Sequence, residues 1–350
     1  MKSNIDKYII NQIPSHPRNI AAVTARKFGI SRQAAVNHLA KLIDDGIVVA
    51  DGKTKARQYI LRKYVNEGYR MTVSSNLAED VEWREKIFPF MNDVPPNVVE
   101  ICQYGFTEIL RNVIDHSQSN KVAFGISRDA ICINLFVLDL GIGIFNKIQA
   151  DFGLDDSRHA LLELAKGKLT SDPQKHTGEG VFFVSRMFDE FKILSEPLFY
   201  LRQNKGDDWL LEVGEQNRRR GTYVKMKLSP TSKRTTKRVF DRFSPDKEHY
   251  GFTRTHVPIQ LARYEGEQLI SRSQARRLLA RFERFEEALL DFKGVEIIGQ
   301  AFADEIFRVY RHEHPEVAIS WVHTTPDVEK MIMRAHANTI ETKELSPSST

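Results

Sequence analysis

Apolar positions recur at helical spacing near the start of the chain, where Ile20, Val23, Phe28, Val36, Leu39 and Ile43 fall in two short segments. Phe28-Gly29-Ile30-Ser31 separates them, with Gly29 suited to the turn and Ser31 to the next N-cap. The second segment predicts a helix from about Arg32 to Asp45 that buries Val36, Leu39 and Ile43. It turns Arg32, Gln33, Asn37, His38 and Lys41 outward. Gly46 ends it, Ile47-Val48-Val49 begins a strand, Asp51-Gly52 signals a hairpin, and Gln58 to Leu61 returns. Within that hairpin Lys53, Lys55 and Arg57 fall at period two and are expected on one side.

Pro95-Pro96 ends a mixed stretch, and alternating helix and strand patterns then run to about Leu228. Val98 to His116 reads as a helix, Ile131 to Leu138 and Tyr223 to Leu228 as strands, and Phe182 to Phe188 as an apolar segment. Ser229 to Arg238 (SPTSKRTTKR) reads as a linker or exposed turn. Beyond it, Thr255 to Leu261, Leu289 to Phe292, Val295 to Ile298 and Ala318 to Val322 are strand-like. Ser271 to Phe285, Ala301 to Tyr310 and Val328 to Ala335 have helical spacing. Such alternation implies an α/β layer. A length of 350 residues fits two or three domains. The expected divisions are 1–65, 70–228 and 239–338, followed by a flexible tail over 339–350.

Composition narrows the class. With 41% apolar and 28% charged residues, the chain is not disordered throughout. No run of about 18 apolar residues predicts a membrane span, and the N-terminus lacks a signal-peptide core. Two cysteines, Cys102 and Cys132, are too few for a disulfide scaffold, so the expected home is a reducing cytoplasm. The net charge of +5 says little until it is located: residues 1–62 carry 11 Lys and Arg against 4 Asp and Glu. That is a net of +7, and the other 288 residues sum to −2. A small basic head precedes a nearly neutral body.

Four candidate motifs follow in order. On the Val98–His116 helix, spacings of four and then three or four align Glu108, Asn112 and Asp115 or His116 along one face. A carboxylate and a carboxamide one turn apart suit a water and a hard cation, although the helix taken alone reads first as a polar face. Asp139-Leu-Gly141-Ile-Gly143 ends the second strand. The carboxylate can accept from an exocyclic amine, while the glycines permit a turn and the approach of a flat base. His176-Thr-Gly178-Glu-Gly180 opens the Phe182–Phe188 segment as an anion nest. Arg220-Gly221-Thr222 begins the last strand.

Taken in that order, the four motifs resemble the four boxes of the GHKL ATPase superfamily over about Asn76 to Leu228. The resemblance implies an α/β sandwich with helices on one mixed sheet, and ATP with Mg2+ as cofactors. It implies that Asn112 ligates Mg2+, beside Asp115, and that Glu108 activates the attacking water. Asp139 would bind the adenine amine, with Gly141 and Gly143 beside the base. Gly178 and Gly180 would cradle phosphates, and Thr222 would support the adenine end. Lys147 to Lys175 would form a mobile lid; the lysine that touches the terminal phosphate in some branches has no assigned position, and Lys175 reads as an exposed lid lysine.

The head resembles a winged helix-turn-helix domain, implying DNA as partner. Arg32, Gln33, Asn37 and His38 would face bases, while Lys41, Lys53, Lys55 and Arg57 would hold the backbone. The alternative is a winged helix used for protein contacts or dimerisation. The C-terminal unit looks like STAS domains, an α/β fold. It is similar to a STAS-like group through Ser271 to Ala275 and Ile298 to Glu305, with the strand Asp291 to Ile298 running straight into a helix. Phosphorylated STAS proteins carry a serine at that turn. Here the turn is Gly299-Gln300-Ala301-Phe302, which offers no phosphate-accepting hydroxyl. Asp304, Glu305 and Arg308 read either as a partner surface or as a solvated helix face.

Three functions stay open. The first is a multidomain cytoplasmic regulator in which ATP binding or hydrolysis alters a DNA-binding head and a STAS-like unit that meets a protein partner. The second is an anti-sigma-type serine or histidine protein kinase acting on another protein, with ATPase favoured over kinase. The third is a DNA-binding scaffold that holds ATP without turnover. Homodimerisation follows only by analogy with the resembled folds.

Overall fold

The computed structural model describes residues 3–53, 56–74, 76–169, 178–204, 208–212, 220–244, 252–263 and 267–344. Lys55, Lys175, His176, Thr177 and residues 345–350 lie outside the described residues.

The first helix, α1 (Asn4–Gln12), was not signalled by the apolar spacing further along. It starts at a capping box in which the Ser3 hydroxyl accepts from the Asp6 N–H and Asp6 accepts from the Ser3 N–H. Two further helices follow, α2 (Ile20–Phe28) and α3 (Arg32–Asp44). Gly29 closes α2 in the left-handed region at φ +64°, and Ser31 caps α3 by accepting from the Ala34 N–H. Ile9, Ile13, Ile20, Ala35, Leu39 and Leu42 form the core of this head. Val36 and Ile43 are only half-buried, so the buried stripe of α3 is turned from the expected one.

Strands β1 (Val48–Asp51) and β2 (Gln58–Leu61) pair antiparallel. Lys53 and Arg57 lie in the connection between them, where strand alternation does not apply. Their expected common side is therefore not imposed by the ladder. The head rests on the central unit through Ala130 and Ile131, which pack against its core. The Tyr64 hydroxyl also donates to the Asp129 carbonyl (2.9 Å).

The central sheet begins at β3 (Val65–Thr72), five residues before the expected boundary at 70. A short helix α4 (Glu79–Glu82), with a π turn at Trp83–Ile87, leads to the long α5 (Pro96–His116). Strands β4 (Lys121–Arg128) and β5 (Ile133–Asp139) follow, then α6 (Ile144–Phe152), α7 (Ser157–Lys166) and α8 (Gly180–Met187). Next come β6 (Glu190–Ser195), β7 (Leu198–Gln203), β8 (Trp209–Glu212) and β9 (Thr222–Leu228). The sheet order is β3-β4-β5-β9-β6-β7-β8, and every ladder in it is antiparallel. Helices α5 and α8 lie together on this sheet.

The stretch 229–238 is not an exposed linker. The Asn97 side chain donates to the carbonyls of Ser232 (2.9 Å) and Arg234 (2.7 Å), and Arg234 pairs with Asp189 (3.1 Å). The Thr236 hydroxyl donates to Glu100 as α9 (Thr236–Phe243) begins. Polar side chains that look solvated in sequence are satisfied here by α5 and its neighbours.

A three-stranded parallel sheet then forms from β10 (Arg254–Pro258), β11 (Glu287–Asp291) and β12 (Ala318–Val322). The mixture of strand directions expected of one sheet is thus divided between two. Helix α10 (Arg272–Leu279) precedes β11. The strand expected from Asp291 to Ile298 stops at Asp291; Ile298 keeps one bridge to Leu269 before α11 (Gln300–Asp304). That helix continues through a π turn (Glu305–Tyr310) into α12 (Arg311–Glu313). The last helix, α13 (Pro326–Glu344), passes the expected boundary at 338 because no proline or glycine interrupts 327–344. One continuous hydrophobic core joins the central and C-terminal units, with the Phe182 ring meeting Phe243 (5.0 Å) and Phe252 (4.5 Å). The molecule is a multidomain α/β protein.

Gly105 lets α5 approach closely: a Cβ there would lie 2.4 Å from the Phe188 ring. Gly105→Val is expected to lower stability by about 2 kcal/mol through overpacking, read as a fall in the urea midpoint. An unchanged midpoint would mean that α5 has room to retreat.

Candidate functional site

A cavity of about 280 Å³ opens between α5, the end of β5, the α6–α7 segment and the start of α8. Glu108, Asn112 and His116 line it from α5, at successive spacings of four. Asp115 is exposed and does not line it, because the helical turn brings His116 round to that face instead.

Asp139 sits at the far end of β5, only 2% exposed. Burial pushes its carboxyl above the usual range, while hydrogen bonds from Gly141 and Thr222 partly offset that push. The Gly141 N–H donates to its Oδ1 at 2.8 Å. Gly141 itself does not line the cavity. A Cβ there would lie 1.9 Å from the Ser117 carbonyl, so its small size serves the closure of the β5 end against α5. Gly143, at φ +85°, does line it.

The Gly-Thr pair has a clear geometric reason. Gly221, at φ +97°, crosses so near β5 that a Cβ would stand 2.0 Å from the Asp139 carbonyl oxygen. Thr222 then points its hydroxyl at the start of α6, accepting from the Ile144 N–H (2.9 Å). Gly178 and Gly180 complete the cavity wall. A Cβ on Gly180 would meet the Glu108 carboxylate at 2.1 Å, so the first turn of α8 and Glu108 depend on each other's position. The Leu169 N–H donates to the Gly178 carbonyl (3.1 Å).

Seven residues picked from sequence therefore meet in one cavity: Glu108, Asn112, Asp139, Gly143, Gly178, Gly180 and Thr222. Spacing did not reveal the side chains of α6, where Lys147 pairs with Asp151 (2.6 Å) and Phe152 adds an apolar wall. Leu164 and Leu169 extend that wall. Their helical apolar spacing was the available signal. The α7 part of the expected lid is firmly packed, with residues 160–167 all buried.

On the head, Arg32, Gln33, Asn37, Lys41, Lys53 and Arg57 are exposed. His38 departs from the expected base-facing row, since its Nδ1 lies 2.7 Å from Asp6 Oδ1 on α1. Burial would raise the Asp6 carboxyl, but the His38 and Ser3 hydrogen bonds outweigh it and hold that group below its usual range. His38 is thus engaged inside the head.

At the C-terminal turn a Cβ on Gly299 would lie 2.7 Å from the Ile270 Cα, so packing there excludes any side chain, serine included. Asp304 pairs with Arg308 (2.6 Å) and Glu305 with Arg276 (2.6 Å), with Glu305 buried. The Glu305 pair ties this helix to α10, whereas the Asp304–Arg308 pair lies within the helix itself. No group of three or more His, Cys, Asp or Glu suited to a metal occurs among the described residues. Among them, too, no helix is long and apolar enough to cross a membrane.

Residues 274–329 match the family described as a STAS-like domain of unknown function (DUF4325). The match runs from α10 to the first turns of α13, and it makes the C-terminal unit a STAS-like domain. No curated protein matches the chain.

A buried carboxyl with a raised pKa is penalised in its charged form, so its contribution to stability falls as pH rises from the ordinary carboxylate range through the raised value. Asp139→Asn removes that penalty while keeping an acceptor for Gly141. Relative to wild type, the variant is expected to gain stability as pH rises through that window. Denaturant titrations at pH 4 and pH 8 with the same relative stability would contradict this.

Proposed function

We propose that the chain is a regulator that binds Mg-ATP in its central cavity, DNA through its basic head and a protein partner through its STAS-like unit. The observation carrying this reading is the convergence of four segments, at 108–112, 139–143, 178–180 and 222, on one cavity. Together they supply what a purine nucleotide requires. Asp139 is a fixed acceptor at the closed end, backbone at Gly178–Gly180 provides a small-residue cradle, and Asn112 with Glu108 faces the open side.

Mg2+ fits this donor set. A neutral carboxamide and a single nearby carboxylate cannot cage the ion alone, and Mg2+ characteristically takes few protein ligands and completes its shell with phosphate and water. Bound there, it would neutralise phosphate charge. Asn112 would hold it, and Glu108, kept in place against Gly180, would orient and deprotonate a water. This arrangement favours ATP hydrolysis. A kinase acting on another protein would use the same cavity, but the Gly299 turn gives it no hydroxyl in this chain.

Exposure of Arg32, Gln33, Asn37 and Lys41 along α3 supports the DNA reading for the head. The head rests on the 129–131 turn, at the opposite end of β5 from Asp139. A seven-residue strand spans roughly 20 Å, so any signal from the nucleotide to the head must travel along the sheet.

Asn112→Ala is expected to lose Mg-ATP binding by about tenfold or more, whereas Glu108→Ala keeps binding and loses turnover by roughly a hundredfold. Calorimetry with a phosphate-release assay separates the two. Equal ATP affinity in Asn112→Ala and wild type refutes the site. For the head, Arg32→Ala with Lys41→Ala should weaken DNA binding and lower the salt slope by about one per lost phosphate contact. A slope that stays put in gel shifts assigns the head to protein contacts.

A further inference from the structure

The wall of the cavity is fastened to the STAS-like unit by charges that are buried. Lys166, at the end of α7, is 1% exposed and Glu163 is 2% exposed. They pair with each other at 2.5 Å, and Lys166 also donates to the Ala280 (2.8 Å) and Arg277 (3.3 Å) carbonyls at the end of α10. The Thr255 hydroxyl donates to the Lys166 carbonyl (2.7 Å). Arg281, held at φ +64°, reaches back to Glu163 (3.4 Å) while its guanidinium lies 4.2 Å from the centre of the Phe152 ring. Phe152 lines the cavity. Two residues beyond Lys166, Lys168 donates to the Arg284 carbonyl (2.7 Å) and Arg284 returns a bond to the Lys168 carbonyl (3.0 Å).

Apolar side chains alone would hold two units together without caring about small displacements. Buried ions behave differently. Two acceptors of Lys166, the Ala280 and Arg277 carbonyls, exist only while the end of α10 stands where it does, and a shift would leave the buried ammonium with Glu163 alone. The junction therefore has discrete arrangements rather than a continuous range. Anything that moves Phe152, Leu164 or Leu169 from the cavity side acts on the same junction as anything that moves α10 from outside.

We propose that the α7–α10 junction couples the cavity to the STAS-like unit, so that ligand in the cavity and a protein bound on the STAS-like unit alter each other's affinity. Arg281 is its key positioning residue, because it touches both Glu163 and the cavity-lining Phe152. In the free protein the junction pre-organises the wall, and loosening it weakens ligand binding. The identity of the ligand and the protein partner rest on the function proposed above; the junction itself does not.

The test uses the full chain as Arg281→Ala, Arg281→Lys and the exposed-pair variant Arg284→Ala. Hydrogen exchange followed by mass spectrometry is read on 157–166 and 272–279, with 121–128 as the internal reference, and Mg-ATP affinity is measured in parallel. Arg281→Ala should speed exchange in both segments together by about tenfold and leave 121–128 unchanged. Its Mg-ATP affinity should fall about fivefold or more. Arg281→Lys, which keeps the charge for Glu163, should recover part of the protection. Should Arg281→Ala not fold, Arg284→Ala decides, with a smaller joint increase expected in the same two segments. Exchange that rises in one segment alone, in neither, or equally throughout the chain overturns the proposal. A wild-type chain that binds no Mg-ATP refutes the ATP reading, and the exchange arm then judges the junction independently.

Discussion

A carboxylate removed from water at the end of β5 sets much of the local architecture. Its charged form is costly unless hydrogen bonds are aimed at it, and the chain supplies one from the Gly141 N–H. That bond requires a tight turn, and the turn is possible only because Gly141 can lie against the Ser117 carbonyl at the end of α5. The last strand of the sheet must also pass the Asp139 carbonyl, which fixes glycine at 221 and delivers the Thr222 hydroxyl to the start of α6. Helix α5, strand β5 and helix α6 are therefore placed relative to one another around a single acidic side chain.

From that centre the molecule is asymmetric. The basic head sits at the other end of β5, resting on a two-residue apolar contact at the β4–β5 turn and the Tyr64–Asp129 hydrogen bond. The STAS-like unit instead shares a continuous core with the central unit and meets the cavity wall through fully buried ions. A cavity ligand is mechanically nearer to the C-terminal unit than to the head. In the function we propose, the STAS-like unit is therefore the more direct correspondent of the cavity ligand, and the sheet would carry any message to the head.

Short-range patterns were readable in the chain before its folding. Helix α5, strands β5 and β9, the opening of α8 at Gly180 and the α2–α3 pair all follow from periodicity and glycine or serine punctuation. What periodicity could not show was the partner of a charge. Lys166 and Glu163 resemble solvent-facing residues, and their burial depends on carbonyls more than a hundred positions away. The same applies to 229–238, where the Ser232 and Arg234 carbonyls accept from Asn97 while the Thr236 and Arg234 side chains bond to Glu100 and Asp189. His38 was read as outward because α1, the source of Asp6, was not foreseen. Of the two alternatives at the end of the α5 face, His116 rather than Asp115 lines the cavity, a matter of one residue of helical pitch.

The most direct measurement is a calorimetric titration of the purified full chain with ATP and with GTP, each with and without Mg2+. In the proposed reading Asp139 accepts from the 6-amine of adenine, where guanine carries a carbonyl, so saturable 1:1 binding of ATP that strengthens with Mg2+ and exceeds that of GTP about tenfold or more is expected. No saturable binding of ATP, or equal affinity for GTP, would contradict the assignment of this cavity to adenine nucleotide.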